Sequence, residues 1–198
     1  GRYYLYNTSQ CWYVFNIGGA GYVDNNTYAF RTVSDWGVSD RTEISAANNF
    51  RHTQNYFRAQ HSRASYDDAN MLARANVHYG QNYVNAFWDG TSFNFGDGNG
   101  VEANSLAVLD VAAHEFGHAM TEFTADLFYY GESGAINESY SDIWAASVEF
   151  YAQPDGRAHY PNAVAGTADW LIGEDCWLNG TALRDMRNPG STVTLAHG

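Results

Sequence analysis

Apolar and polar positions alternate along the first 37 residues, in "RYYLYN", "CWYVFNI" and "NTYAFRTV", with Gly and Asn between the runs. A period of two with aromatic enrichment predicts short antiparallel strands joined by turns. From Asp40 the period lengthens. "DRTEISAANNFRHTQNYFRAQH" sets Ile44, Ala47, Phe50, Gln54 and Phe57 at helical spacing, with Asp40 or Thr42 as the cap. Strand-like pieces follow, "ANVHYG", "NAFWDG" and "FNFGDGNG", each closed by Gly, Asn or Asp turn residues. After Ser105 comes a second helical run, "LAVLDVAAHEFGHAMTEFTAD". A third, "AINESYSDIWAASVEFYAQ", follows "YYGESG". Past Pro154 the chain reads as loop, without repeat or low-complexity block. The predicted class is α+β: a β-rich first half leading into two consecutive helices.

Composition narrows the picture. At 198 residues with 45% apolar content, the chain can bury one good-sized core or two small domains sharing a cleft. The net charge is −12 and all ten basic residues are Arg. Such a chain repels phosphate backbones and anionic lipid, so neither nucleic acid nor a membrane is expected as a partner. No stretch approaches the roughly 20 apolar residues of a membrane span. No signal peptide opens the chain, and "GRYYLY" reads as a processed start. Cys11 and Cys176 lack metal or redox spacing. A long-range disulfide, two buried thiols, or pairing with another segment all remain open.

The chemistry sits at "HEFGH", residues 114–118. Positions four apart on a helix differ by about 40° around the axis and 6 Å along it. His114 and His118 therefore project together and can grip one ion at the zinc–nitrogen distance of about 2.0–2.1 Å. Glu115 lies about 100° round from His114, flanking the ion, where it could take a proton from water. In shuffled chains of this composition the pattern arises on the order of once in a hundred. Two histidines on a solvated face are the plainer interpretation. Apolar Val111, Ala112, Ala113, Phe116 and Ala119 around them argue for a buried helix instead, and buried histidines need partners.

A catalytic zinc usually takes three protein ligands. A metzincin arrangement would place Gly and His three and six residues beyond His118, where Thr121 and Thr124 stand. Glu122 shares the face but lies about 12 Å along the axis from His114, too far to share the ion. The third ligand must come from another element, and "GAINESYSD" supplies Glu138 near the start of the next helix. Asp142, one turn later, could hold the far nitrogen of a ligating histidine. Taken alone, Glu138 would read as a charge favoured by a helix N-terminus.

With "HEFGH" and "GAINESYSD" in place, the chain closely resembles the thermolysin family of secreted zinc metalloendopeptidases. "ANVHYGQNYVNAFWDG", "FGDGNG", "LDVAAHE", "SDIWAASVEFYA", "DWLIGED" and "ALRDM" match in order, covering most of residues 43–190. The resemblance implies one zinc held by His114, His118 and Glu138, with Glu115 as the base that activates water. It implies Asn137 and Asp142 as partners of the histidines, and Tyr129 as a hydrogen-bond donor to the tetrahedral intermediate. Asn85 and Ala86 would align the substrate backbone. Arg184 would hold a carbonyl on the leaving side of the cut, where Val111 and Leu183 would line a pocket for a bulky apolar residue. Asp110, Glu149, Asp169 and Glu174, with the Leu171 carbonyl, would hold calcium. One ion is expected there, because Leu171 replaces an acid. A further calcium site is in doubt, because the loop from Cys176 to Arg184 is short.

The resemblance also divides the chain into a β-rich catalytic domain, residues 1–125, and the start of a helical C-terminal domain, residues 126–198. Most of that second domain is expected to be absent from this chain. The family's "DNGGVH"-like segment, which brings a histidine to the oxyanion, does not occur here, and His197 in "TLAHG" lacks its surroundings. A separate C-terminal polypeptide is therefore an expected partner, beside peptide and protein substrates. Two alternatives stand against a secreted endopeptidase. One is a zinc- and calcium-stabilised binding or structural domain, which would not need Glu115. The other is an aminopeptidase, which would need an anchor for a free amine that is not found.

Overall fold

A computed structural model describes residues 2–18, 28–32, 36–153, 167–178, 180 and 182–191. His159, His197 and the loop expected just past Pro154 lie outside them. The strands are β1 (Tyr3–Tyr4), β2 (Tyr6–Asn7), β3 (Trp12–Asn16), β4 (Phe30–Arg31), β5 (Ala73–Val77), β6 (Ala86–Trp88), β7 (Phe93–Phe95), β8 (Leu171–Ile172) and β9 (Arg184–Asp185). The helices are α1 (Arg41–His61), α2 (Leu109–Glu122) and α3 (Gly131–Ala152). Five strands form one sheet in the order β2-β3-β5-β7-β6. Pairs β1·β4 and β8·β9 are separate two-stranded ladders. The α+β class holds. No helix of the described residues is long and apolar enough to cross a membrane.

The strands of the first 37 residues pair antiparallel with one another, β1 with β4 and β2 with β3. Beyond that stretch β3 runs parallel to β5, and β5 parallel to β7. Parallel neighbours need a crossover, and α1 is the crossover between β3 and β5. Strands next to such a helix are covered, which is why Val14, Ala73, Ala75 and Val77 are almost wholly buried. The chain then passes outward to β6 and returns as β7, leaving β6 at the sheet edge.

The helical runs are placed as expected, with shifted ends. α2 begins at Leu109, and Leu106, three residues before it, donates its amide to Gly96 O. α3 begins at Gly131, so "GESG" forms its first turn. Glu138 consequently sits two turns inside the helix, not at its start.

The core lies between the sheet and α1 and α2. Phe50, Phe57, Phe93, Phe95 and Phe116 are all fully buried. Phe116 stacks on Phe57 and Phe93 at ring-centroid distances of 5.3 and 5.9 Å. Polar residues of α1 facing inward find partners for their donors: Asn49 donates to Ala107 O and Gln54 to Cys11 O, while Gln54 Oε1 stays buried without a partner. Cys11 and Cys176 are free, buried thiols, so the disulfide option is not realised.

α3 lies against α2 at close range. A Cβ on Gly117 would stand 2.8 Å from the Ser141 Cα, a backbone atom that cannot rotate away. Gly117→Val should therefore cost about 1–3 kcal/mol. Denaturant unfolding of the variant against wild type measures this.

His78, at the end of β5, joins α1 to the loop after β7. Its Nδ1 meets the Asp97 carboxylate at 2.8 and 2.9 Å, and its Nε2 lies 3.3 Å from Glu43 Oε1. The bonds to Asp97 and Glu43 outweigh burial and raise the His78 pKa to about 10. A pKa raised by folding stabilises fully below the unfolded value of about 6.5, and the effect is lost as pH climbs through about 10. Asp97 is half exposed, so screening limits the effect to roughly 1 kcal/mol. His78→Gln should thus be less stable than wild type at pH 6 and indistinguishable from it at pH 10.5.

Candidate metal centre and cleft

Phe116 points into the core, so α2 turns its opposite face, with His114, Glu115, His118 and Glu122, into a cleft of about 960 Å³. The cleft is bounded by the β6 edge, the 126–129 loop and residues near β8 and β9. The Nε2 atoms of His114 and His118 are 2.9 Å apart. Glu138 brings one carboxylate oxygen to within 3.3 Å of each. Tetrahedral ligands 2.0–2.1 Å from zinc lie about 3.3 Å from one another, so spacing and donor types both suit that ion. The three residues that sequence pattern selected do converge.

Their outer nitrogens are held too. His114 Nδ1 is 2.7 Å from Asp142 Oδ1, and His118 Nδ1 is 2.8 Å from Asn137 Oδ1. Ser141 Oγ, which sequence reasoning missed, lies 3.2 Å from the same His118 nitrogen. Such contacts fix ring orientation and aim both Nε2 atoms at one point. Arg184 donates from Nε and Nη2 to the two Asp142 oxygens, at 2.8 and 2.7 Å. It is thus tied to the histidine's partner as well as lining the cleft.

Burial pushes His114 down, but its bonds to Asp142 and Glu138 prevail and raise it to about 9. A cation bound there would replace that proton. Burial works against Glu138 as well. The histidines outweigh it and hold the carboxyl well below the ordinary range. Glu115 is 5% exposed, and burial raises its pKa against the pull of both histidines. Its Oε2 accepts the Trp88 amide of β6 at 3.0 Å.

Other expected residues are distributed as follows. Tyr129 borders the cleft with its hydroxyl on Glu138 Oε1, not free. Asn85 and Ala86 line the cleft at the start of β6. Val111 and Leu183 line it with Leu106, Ile172 and Trp177 as an apolar wall. Tyr129 and Arg184 carry no local signal in the sequence; only the family pattern selects them.

The acid cluster differs from expectation in membership. Glu149 and Glu174 converge with Asp175, which was not anticipated although it adjoins Glu174 in "GED". Asp169 is outside that trio: its Oδ1 accepts the Leu171 amide, and its own amide donates to Glu149. Leu171 lies in β8. Asp110 is buried and accepts the amides of Val111 and Gly173. Burial and the charge on Asp110 raise Glu149 to about 8 and Glu174 to about 9. Both Glu174 oxygens are buried without a hydrogen-bond partner. Gathered carboxylates with unused oxygens are what a hard cation requires.

The profile of the thermolysin metallopeptidase catalytic domain matches residues 1–122, and that of the alpha-helical domain matches residues 125–197. The chain belongs to the thermolysin metallopeptidase family. It is 44% identical over 138 residues to the thermolysin of Alicyclobacillus acidocaldarius subsp. acidocaldarius, covering 68% of this chain and 23% of that protein. The bacillolysin of Brevibacillus brevis is 40% identical over 164 residues, 81% of this chain and 28% of that protein. Protease PrtS of Photorhabdus sp. (strain Az29) is 36% identical over 165 residues, 80% of this chain and 42% of that protein. The precursor of protealysin, a metalloproteinase from Serratia proteamaculans, superposes with a TM-score of 0.76 at 29% identity, over 92% of this chain and 55% of that one. The chain thus spans less than half the length of these curated relatives.

The acid cluster predicts a response to calcium. Adding the ion should raise the thermal midpoint, and chelation should lower it. Glu174→Gln removes a carboxyl that burial and Asp110 force to take up a proton, so it should raise the midpoint in chelator and shrink the gain from calcium; differential scanning calorimetry reads both effects.

Proposed function

We propose that the protein to which this chain belongs is a secreted zinc-dependent endopeptidase that cuts internal bonds before a bulky apolar residue. One observation carries the reading. His114, His118 and Glu138 converge beside a buried Glu115 on the wall of a cleft large enough for a peptide. A zinc ion held by these three residues would supply Lewis acidity, lowering a water pKa towards about 7 and drawing charge from the substrate carbonyl.

The remaining work falls to the chain's own groups. The edge strand β6 runs along the cleft beside Asn85 and Ala86, where an extended peptide can lie against it. Val111, Leu183 and their apolar neighbours exclude water from the side chain after the cut. Glu115, raised by burial and steered by the Trp88 amide, accepts a proton from the attacking water and delivers it to the leaving amine. The Tyr129 hydroxyl, at the cleft rim, can turn from Glu138 to donate to the developing oxyanion. Asp142 and Asn137 keep the histidines aimed, and Arg184, anchored by Asp142, donates to a substrate carbonyl on the leaving side.

A further oxyanion donor would be a histidine from outside these 198 residues. Calcium at Asp110, Glu149, Glu174 and the neighbouring acids would brace α2 against α3. A metal-stabilised domain without catalysis is disfavoured. It gives no reason to bury Glu115 against the cleft, where burial raises its pKa despite the pull of both histidines.

Glu115→Gln in the whole protein should keep its zinc, measured by elemental analysis, yet lose about 10³-fold in kcat on a blocked peptide. Undiminished turnover with zinc in place would remove the reading.

A further inference from the structure

The two ends of the cleft differ in character. Around the start of α2 its wall is apolar, with Leu106, Val111, Ile172, Trp177 and Leu183. Around the end of α2 the lining takes in two acids, Glu122 and Asp126, beside Trp88, Leu127 and Phe128. Glu115 and Glu122 are seven residues apart, two helical turns, so they leave one face of α2 about 10 Å apart along its axis.

A single residue of the facing strand holds both. The Trp88 amide donates to Glu115 Oε2 at 3.0 Å, and the Trp88 indole Nε1 donates to Glu122 Oε2 at 2.6 Å. A neutral indole fixes the Glu122 side chain without cancelling its charge. The other oxygen, Oε1, faces the open side near Gly90 and makes no hydrogen bond among the described residues. No described arginine pairs with Glu122 either. Arg184, the arginine that lines the cleft, is held by Asp142.

We propose that Glu122 is a specificity-determining residue that favours a basic side chain, Arg or Lys, shortly before the cut. The inference rests on the peptidase reading above. With the residue after the cut in the apolar end, the preceding residues run towards the end of α2. Glu122 stands about 6 Å along the helix from His118, and an extended chain advances about 3.3 Å per residue. The carboxylate therefore meets the side chain one or two positions before the scissile bond. An ammonium or guanidinium there would find an immobilised carboxylate with a free oxygen. A carboxylate there would be repelled by Glu122 and Asp126 together.

The test uses the whole protein and three internally quenched peptides, blocked at both ends. All carry the same apolar residue after the cut, with Arg, Gln or Glu at the two positions before it. The Arg peptide should exceed the Glu peptide in kcat/KM by about fivefold, the scale of one close charge pair in water, and added salt should shrink the ratio. Glu122→Gln keeps an oxygen for the Trp88 indole while removing the charge, so the ratio should fall to near one. Glu102→Gln removes an exposed charge outside the cleft and should leave the ratio at its wild-type value. A wild-type ratio near one, or an equal fall in both variants, overturns the assignment. Cleavage of none of the peptides by the zinc-loaded protein removes the peptidase reading, and this inference with it.

Discussion

The architecture of the centre depends on the distance between α2 and α3. Gly117 has no side chain, so the Ser141 backbone comes up against α2 where any Cβ would collide. That approach lets Glu138, three residues before Ser141, reach both imidazole Nε2 atoms with one carboxylate. The same contact puts Asn137 and Asp142 against the outer nitrogens. A small residue between the two histidines is thus a geometric requirement of this particular pair of helices.

Opposite the cleft, Phe116 locks the rotation of α2. Its ring is stacked between Phe57 of α1 and Phe93 of β7, so the helix cannot roll without opening the core. The five-residue motif therefore contains its own orienting device, with polar residues on one side of the helix and a fully buried aromatic on the other.

Burying acids has to be compensated, and the chain does so in two ways. In the cleft, the Asp142 carboxylate is paired with Arg184 and His114, and Glu138 with both histidines. At the far ends of the helices, Asp110 of α2 and Glu149 of α3 lie near Glu174; Arg184 favours the charged Asp110, but burial and mutual repulsion raise all three pKa values. The two helices that carry the histidines and Glu138 also carry this repulsion, so whatever neutralises it bears on their spacing.

The i, i+4 histidines, the adjacent glutamate and the later Glu138 were legible because a helix converts sequence spacing into geometry by a fixed rule. The same rule located all three helices and rejected Glu122 as a ligand. It could not say that β3 and β5 run parallel, because strand direction depends on a crossover of 56 intervening residues, from 17 to 72. Nor could it place Asp175 beside Glu149 and Glu174, Ser141 beside His118, or the Trp88 clasp on Glu122. Those contacts join residues 23 to 34 positions apart or depend on how a loop folds, and only the packed core sets their distances. Local periodicity, in short, decided which side chains share a face; tertiary packing decided what that face meets.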